Sequence, residues 1–93
     1  MPFESMKFED LREQFISNNS GEIERIIKII DEALEEAIIK DGPYGTFIVR
    51  DAARDLKYGI REYLIEQYRD NDWDLKFVET QVKGLLIAEI KRI

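Results

Sequence analysis

The chain has 93 residues, of which 44% are hydrophobic and 37% charged, a size and balance that predict one domain with its own core. It contains neither cysteine nor histidine, which excludes disulfides, zinc sites built on those ligands and Ser-His-Asp hydrolysis within this chain. The net charge of −6 belongs wholly to residues 1–46, with 11 acids and 5 bases, and this balance disfavours contact with phosphate backbones.

Neither a secretory signal nor a membrane span is predicted. The start, "MPFESMKFED", has no basic stretch followed by an apolar one. No apolar run approaches the roughly 20 residues that are needed to cross a bilayer. We therefore expect a soluble cytoplasmic protein that does not bind a membrane.

Two amphipathic helices are predicted first. A short one, over about residues 6–17, is predicted by apolar side chains at i, i+3 and i+7: Phe8, Leu11 and Phe15. After "SNNSGE", where Asn19 and Glu22 fit a capping box, a longer helix is predicted by one apolar stripe: Ile23, Ile26, Ile27, Ile30, Leu34, Ala37 and Ile38. The sequence "DGPYG" ends it, because glycine and proline do not continue a helix.

A strand and a third helix follow. "TFIVR" predicts a short strand, because its residues are mostly β-branched or aromatic. Asp51 is predicted to cap the third helix, which runs to about Arg69. The inner stripe of this helix is predicted to hold Ala53, Leu56, Ile60, Tyr63, Leu64 and Tyr68.

Two closing strands complete the predicted fold. "WDLKFVE" alternates apolar and polar residues, and "LLIAEIKRI" is the most apolar strand, suited to the middle of a sheet. We expect a two-layer α+β fold, α-α-β-α-β-β, with a three-stranded antiparallel sheet of order 1-3-2 covered by helices on one face. The single domain 1–93 would consist of a helical hairpin, 1–41, packed on a β-α-β-β unit, 44–93.

The stretch "YRDNDWDL" begins like a calcium-binding loop, with three aspartates spaced two apart: Asp70, Asp72 and Asp74. A loop that starts at Asp70 needs glycine at position 6 and glutamate at position 12. Those positions hold Leu75 and Gln81, and strand alternation already accounts for this stretch. We predict the end of a helix, with Asn71 in the left-handed region, then a strand.

Other patterns that carry chemistry are weak. "DGPYGTF" lacks the Gly-Lys-Ser/Thr ending of a phosphate-binding loop. Carboxylate pairs such as Glu35-Glu36 and Glu9-Asp10 are predicted on solvated helix faces rather than in a cleft. We predict no catalytic, metal-binding or cofactor-binding residue and no enzyme activity, with magnesium-assisted chemistry on carboxylates as the least favoured alternative.

The most informative pattern lies on the outer side of the third predicted helix. Five residues fall at i, i+4, i+7, i+11 and i+15, on one ribbon opposite the predicted core stripe: Arg54, Tyr58, Arg61, Ile65 and Arg69. Tyrosine and arginine are enriched in interface hot spots, so we predict that this ribbon binds a protein partner. The alternative is scattered exposure, which is ordinary for single apolar residues.

The outer face of the second predicted helix is acidic, and it includes Asp31, Glu32, Glu35 and Glu36. Contact between this acidic face and the basic ribbon of another copy would produce self-association. The expected partner is therefore another protein or a second copy, and direct binding to nucleic acid is not expected.

The second half of the chain resembles small α+β proteins encoded by bacteriophages and prophages. The similarity runs from "GTFIVRD" through "DLKYGIREYLIEQYRDNDWDLKFVET" to "GLLIAEIKRI". Those proteins have a strand, a long helix and a terminal hairpin that usually starts with glycine and an aromatic residue, where this chain has Asn71-Asp72-Trp73. The resemblance implies an accessory protein that acts with another macromolecule, and it supplies no catalytic residues.

These patterns favour a non-enzymatic protein–protein interaction module, of phage origin by resemblance, which binds through the outer face of the third helix. The alternative is an acidic inhibitor that occupies the nucleic-acid-binding site of a host protein. Binding by such a mimic would weaken steeply with salt, whereas an apolar helix contact would not.

Overall fold

The computed structural model describes residues 7–93, which form three helices and three strands. In chain order these are α1 (Phe8–Asn18), α2 (Ser20–Asp41), β1 (Thr46–Arg54), α3 (Tyr58–Asp70), β2 (Trp73–Glu79) and β3 (Leu85–Arg92). The strands form one antiparallel sheet of order β1-β3-β2, which confirms the predicted α+β fold and strand order. The most apolar strand, β3, is the central one, where a strand on each side shields it from water.

The core lies between one face of the sheet, α2 and α3. Every second residue of β3 is buried, and each faces the helices together with buried residues of the outer strands: Val49, Leu75, Phe77, Leu86, Ala88 and Ile90. The helices contribute their apolar stripes: Ile23, Ile26, Ile30 and Leu34 from α2, and Ile60, Leu64 and Tyr68 from α3. α2 packs on β1 and α3 packs on β2, which places the two helices side by side.

The opposite face of the sheet carries polar side chains together with apolar ones, among them the exposed Ile48 and the half-buried Val78 and Ile87. Thr46, Asp74 and Lys76 are exposed there, and the Asp74 carboxylate lies 3.9 Å from the Lys91 ammonium on the neighbouring strand. Alternation of apolar and polar side chains is typical of an antiparallel sheet with one face in water.

The boundary between β1 and α3 differs from the prediction. β1 continues to Arg54, and α3 begins only at Tyr58, so Asp51 does not cap a helix. Asp51 has a φ of 55° and lies in an irregularity, where the register with β3 shifts between Val49 and Ala53. Backbone pairing with β3 determines the structure of this segment, and it overrides the local helical pattern.

The turn before β3 requires glycine. Gly84 has a φ of 82°, and a side chain at this position would overlap the Asp55 carboxylate. The Asp55 N–H donates to the Gly84 carbonyl oxygen at 2.7 Å, which joins the end of β1 to this turn. The backbone conformation and the close approach both exclude a β-carbon.

Two helix ends also differ in detail from the prediction. Asn71, predicted in the left-handed region, has a φ of −104°, and the next residue, Asp72, has a φ of 68°. Asn19 is the residue between α1 and α2, but its side chain makes no capping bond. Its Nδ2 donates to the Phe15 carbonyl oxygen at 2.8 Å, and its Oδ1 accepts a hydrogen bond from the Lys57 ammonium at 2.8 Å.

Candidate functional site

α1 lies against α3 through two side chains. The Phe15 ring lies against Gly59, where an added β-carbon would come within 2.6 Å of the ring. One turn earlier, Arg12 donates to the Glu66 carboxylate at 2.6 Å, and its guanidinium lies 5.5 Å from the centre of the Tyr63 ring. α1 therefore runs antiparallel to α3, with the aromatic rings and the ion pair holding it in place.

The apolar stripe of α1 is covered only in part. No residue of α1 is buried, and Phe8 and Leu11 keep 74% and 46% of their surface exposed. Tyr58, at the start of α3, is 72% exposed beside them. Exposed apolar residues are ordinary when they are scattered, but three on one surface are typical of an interaction site.

The space between these helices is a groove of about 450 Å³. We call it the α1–α3 groove and define it by its apolar residues, Phe8, Leu11, Phe15, Tyr58 and Tyr63, and by its charged residues, Arg12, Glu62 and Glu66. Its apolar lining suits the apolar side chains of a helix that lies along it.

The charges at the groove are mainly acidic. Glu66 is paired with Arg12, whereas Glu62 faces Tyr58, and a hydrogen bond from Tyr58 to this carboxylate and the carboxylate charge together raise the pKa of the Tyr58 hydroxyl. α1 adds three exposed acids on its polar side: Glu9, Asp10 and Glu13. The groove lining itself carries one arginine and two glutamates, which give it a net charge of −1.

The five residues of the predicted binding ribbon do not form one exposed surface. Arg54 lies in β1 and not on α3, so it does not continue the helical ribbon. Arg61 and Ile65 are half-buried, and Ile65 packs against the core. The Arg61 Nε atom is buried and has no hydrogen-bond partner within residues 7–93. Of the five predicted ribbon residues, Tyr58 and Arg69 are the two that are exposed on α3, and Tyr58 belongs to the α1–α3 groove.

The predicted acidic face is exposed as a unit. Asp31, Glu32, Glu35 and Glu36 are all exposed on α2. Asp31 also accepts a hydrogen bond from the Tyr68 hydroxyl at 2.6 Å, which links this face to α3. The acidic face and the α1–α3 groove are therefore separate surfaces with separate chemistry.

The three aspartates of "YRDNDWDL" lie in three different structures. Asp70 is the last residue of α3, Asp72 is in the turn that follows, and Asp74 is in β2. Within residues 7–93, no three acidic side chains come together in a way that could hold a metal ion. No helix in the same part of the chain is long and apolar enough to cross a membrane.

The groove is lined by residues from two predicted apolar stripes. Phe8, Leu11 and Phe15 were predicted as the apolar side of a short amphipathic helix, and Tyr63 as part of the inner stripe of the third helix. All four line the α1–α3 groove, and Phe15 and Tyr63 also pack against the core. The available signal was Gly59, because a glycine inside a helix suggests close packing against it, and Phe15 packs there.

Comparisons with known proteins found no relative. A scan against protein-family models found no match. Neither the comparison with curated proteins nor the comparison with solved structures found a significant one.

Proposed function

We propose that the protein is a non-enzymatic interaction module, whose α1–α3 groove binds an amphipathic helix with basic residues beside its apolar stripe. The observation that carries the proposal is the exposure of Phe8, Leu11 and Tyr58 on one groove. A partner helix would cover these side chains and bury apolar surface, which is the main source of free energy in helix-in-groove recognition. The resemblance to phage and prophage proteins suggests an accessory role in the cytoplasm.

The charge around the groove supports the choice of a basic partner. Glu62 and Glu66 line the groove, and the exposed side of α1 adds further acids. Lysine or arginine residues that flank the partner's apolar stripe would lie near these carboxylates. Charge complementarity of this kind raises association rates and excludes acidic helices more than it adds affinity.

The first test uses two synthetic helices that share one leucine stripe and differ in their flanking residues, lysine in one and glutamate in the other. Fluorescence anisotropy should show that the lysine helix binds and the glutamate helix does not. Leu11→Ala and Tyr58→Ala should each weaken the lysine helix about tenfold, as is typical of a buried interface residue.

Matched controls distinguish the groove from other surfaces. Ile39 is 79% exposed on α2, outside the groove, so Ile39→Ala should bind the lysine helix as the wild type does. The pair Glu35→Gln and Glu36→Gln on the acidic face should also leave binding unchanged. The proposal is wrong if both helices bind equally, or if the groove variants bind as tightly as the wild type.

A second candidate function rests on the acidic face of α2. Its four exposed carboxylates, at positions 31, 32, 35 and 36, support the alternative of an inhibitor that occupies a nucleic-acid-binding site. Such binding would depend on Glu35 and Glu36 rather than on Leu11 and Tyr58. Its affinity would also fall steeply as salt rises, because the attraction is between charges.

A further inference from the structure

We propose that α1 exchanges between two copies of the chain. In the exchanged dimer Asn19 becomes helical, α1 and α2 join into one helix, and α1 of each copy packs on α3 of the other. This inference is independent of the proposed function, because the α1–α3 groove is formed by the same residues in both forms. It rests on the geometry of the single residue between the helices and on the shallow burial of α1.

The connection between α1 and α2 is already almost helical. Asn19 has φ −116° and ψ 16°, so a rotation of roughly 55° about each dihedral reaches the α-helical region. The Asn19 N–H donates to the Phe15 carbonyl oxygen at 3.2 Å, and the Ile23 N–H donates to the Asn19 carbonyl oxygen at 3.0 Å. Both are i→i−4 bonds of a continuous helix, so the change is confined to one residue.

The joined helix would also keep a single apolar side. Phe8 and Phe15 are two turns apart, and Ile26 follows Phe15 by 11 residues, which is close to three turns. The stripe of α1 therefore continues in phase with the stripe of α2. In addition, no side chain caps the first turn of α2, and a joined helix supplies main-chain acceptors to those N–H groups.

Release of α1 breaks few contacts, and the dimer makes them again. No residue of α1 is buried, and its main contacts with α3 are Phe15 on Gly59 and Arg12 on Glu66 and Tyr63. Phe15 and Ile16 also pack against the core. The exchange therefore replaces each contact within a chain by the same contact between chains. Because each copy gives and receives one helix, the assembly closes as a two-fold dimer.

Two hydrogen bonds hold the bent form. The Asn19 side chain donates to the Phe15 carbonyl oxygen and accepts from the Lys57 ammonium, each at 2.8 Å. The balance between bent monomer and exchanged dimer is therefore set largely by the Asn19 side chain.

The test is the association constant measured by sedimentation equilibrium. Asn19→Ala removes both hydrogen bonds, and it places alanine, the residue with the highest helix propensity, at the joint of both copies. The dissociation constant of the dimer should therefore fall about tenfold or more. Lys57→Met removes one of the bonds and should shift association in the same direction. The matched control is Asn71→Ala, because the Asn71 Nδ2 also donates to the carbonyl four residues earlier, at 2.9 Å, but at the end of α3. This control should leave association unchanged.

Exchange is distinguished from simple association by cross-linking. The chain has no cysteine, so an introduced cysteine is the only thiol that can react with the cross-linker. A chain with Arg12→Cys is mixed with a chain with Glu66→Cys, both carrying Asn19→Ala, and a short bismaleimide is added. We expect a link between the two chains, and no link when Arg12→Cys is replaced by Glu35→Cys. A monomeric Asn19→Ala protein, or a dimer without the 12-to-66 link between chains, would overturn the proposal.

Discussion

Tyr68 shows how one side chain joins two helices. Its ring is buried in the core, and its hydroxyl donates to the Asp31 carboxylate of α2 at 2.6 Å. Burial raises the pKa of the Tyr68 hydroxyl, and the hydrogen bond to Asp31 and the charge of that carboxylate raise it further. The folded protein therefore keeps this hydroxyl protonated at a pH where the unfolded chain ionises it.

This difference predicts how the stability depends on pH. The unfolded tyrosine has a pKa of about 10, and the folded value is higher, so the contribution of Tyr68 is complete below about pH 10 and is lost as pH rises above it. We expect Tyr68→Phe to lower the free energy of unfolding by about 0.5–1.5 kcal/mol at neutral pH. Urea unfolding between neutral and strongly alkaline pH measures this difference.

The comparison of the two proteins isolates this hydroxyl, because Tyr68→Phe removes it and leaves every other ionisable group in place. The wild-type advantage should shrink above about pH 10, since only the wild type loses stability from this ionisation. A difference that stays constant into the alkaline range would show that the Tyr68 hydroxyl is not held protonated by the fold.

At the scale of elements, the docking of α1 depends on the match between an aromatic ring and a glycine. Phe15 supplies the ring, and Gly59 supplies the space in the first turn of α3. Glycine inside a helix costs roughly 1 kcal/mol relative to alanine, so Gly59 lowers the intrinsic stability of α3. Close approach of α1 compensates for that loss.

A double-mutant cycle tests this pairing. Gly59→Ala in the wild type should lower the free energy of unfolding by about 1 kcal/mol, because the new β-carbon overlaps the Phe15 ring. In a Phe15→Ala background the same substitution should raise it by about 0.5–1 kcal/mol, since only the helix propensity changes. Urea unfolding of the four proteins gives both values. An effect of the same sign in both backgrounds would exclude the proposed packing.

The helices and strands were predicted with unequal success, for a physical reason. α2 was predicted nearly to its ends, because its stripe repeats over 22 residues and "DGPYG" stops it. β1 was predicted too short and α3 too long, because residues 51–54 belong to a strand that is held by backbone pairing with β3. Periodicity reports a local preference, whereas strand pairing depends on residues that lie far away along the chain.

At the scale of the whole molecule, charge is unevenly distributed. The net charge is −6, and the acidic face of α2 and the polar side of α1 carry exposed carboxylates. Like charges on a small domain repel one another and destabilise its compact state. Ion pairs offset little of this repulsion, because the Arg12–Glu66 pair lies at the surface, where such pairs contribute about 0–1 kcal/mol.

Salt is therefore expected to stabilise the protein. A change from about 0.01 M to about 1 M NaCl shortens the screening length from about 30 Å to about 3 Å. The melting temperature should rise by about 4 °C, which corresponds to roughly 1 kcal/mol in a domain of this size. Calorimetry or circular dichroism measures the shift. The variant Glu35→Gln/Glu36→Gln should show a smaller rise, and an equal rise would locate the repulsion elsewhere.

The candidate site was only partly predictable. Tyr58 was predicted as an exposed binding residue, and it lines the α1–α3 groove. Phe8 and Leu11 were recognised as one side of an amphipathic helix, but a stripe does not tell whether a neighbouring helix covers it. Arg54 was placed on the wrong element, because the helix that would have carried it begins four residues later.

The sequence by itself determined the number and type of the elements and the strand order. The period of the apolar residues and the turn residues are enough to predict the elements, because an element buried on one face repeats its apolar residues with the period of a helix or a strand. The apolarity of the last strand is enough to predict the strand order, because a strand that is apolar throughout suits the middle of a sheet. Only the tertiary structure decided the length of β1, the position of α1 on α3 and the bend at Asn19. These depend on pairing with β3, on the Phe15–Gly59 contact and on Lys57, which are contacts between residues distant in sequence.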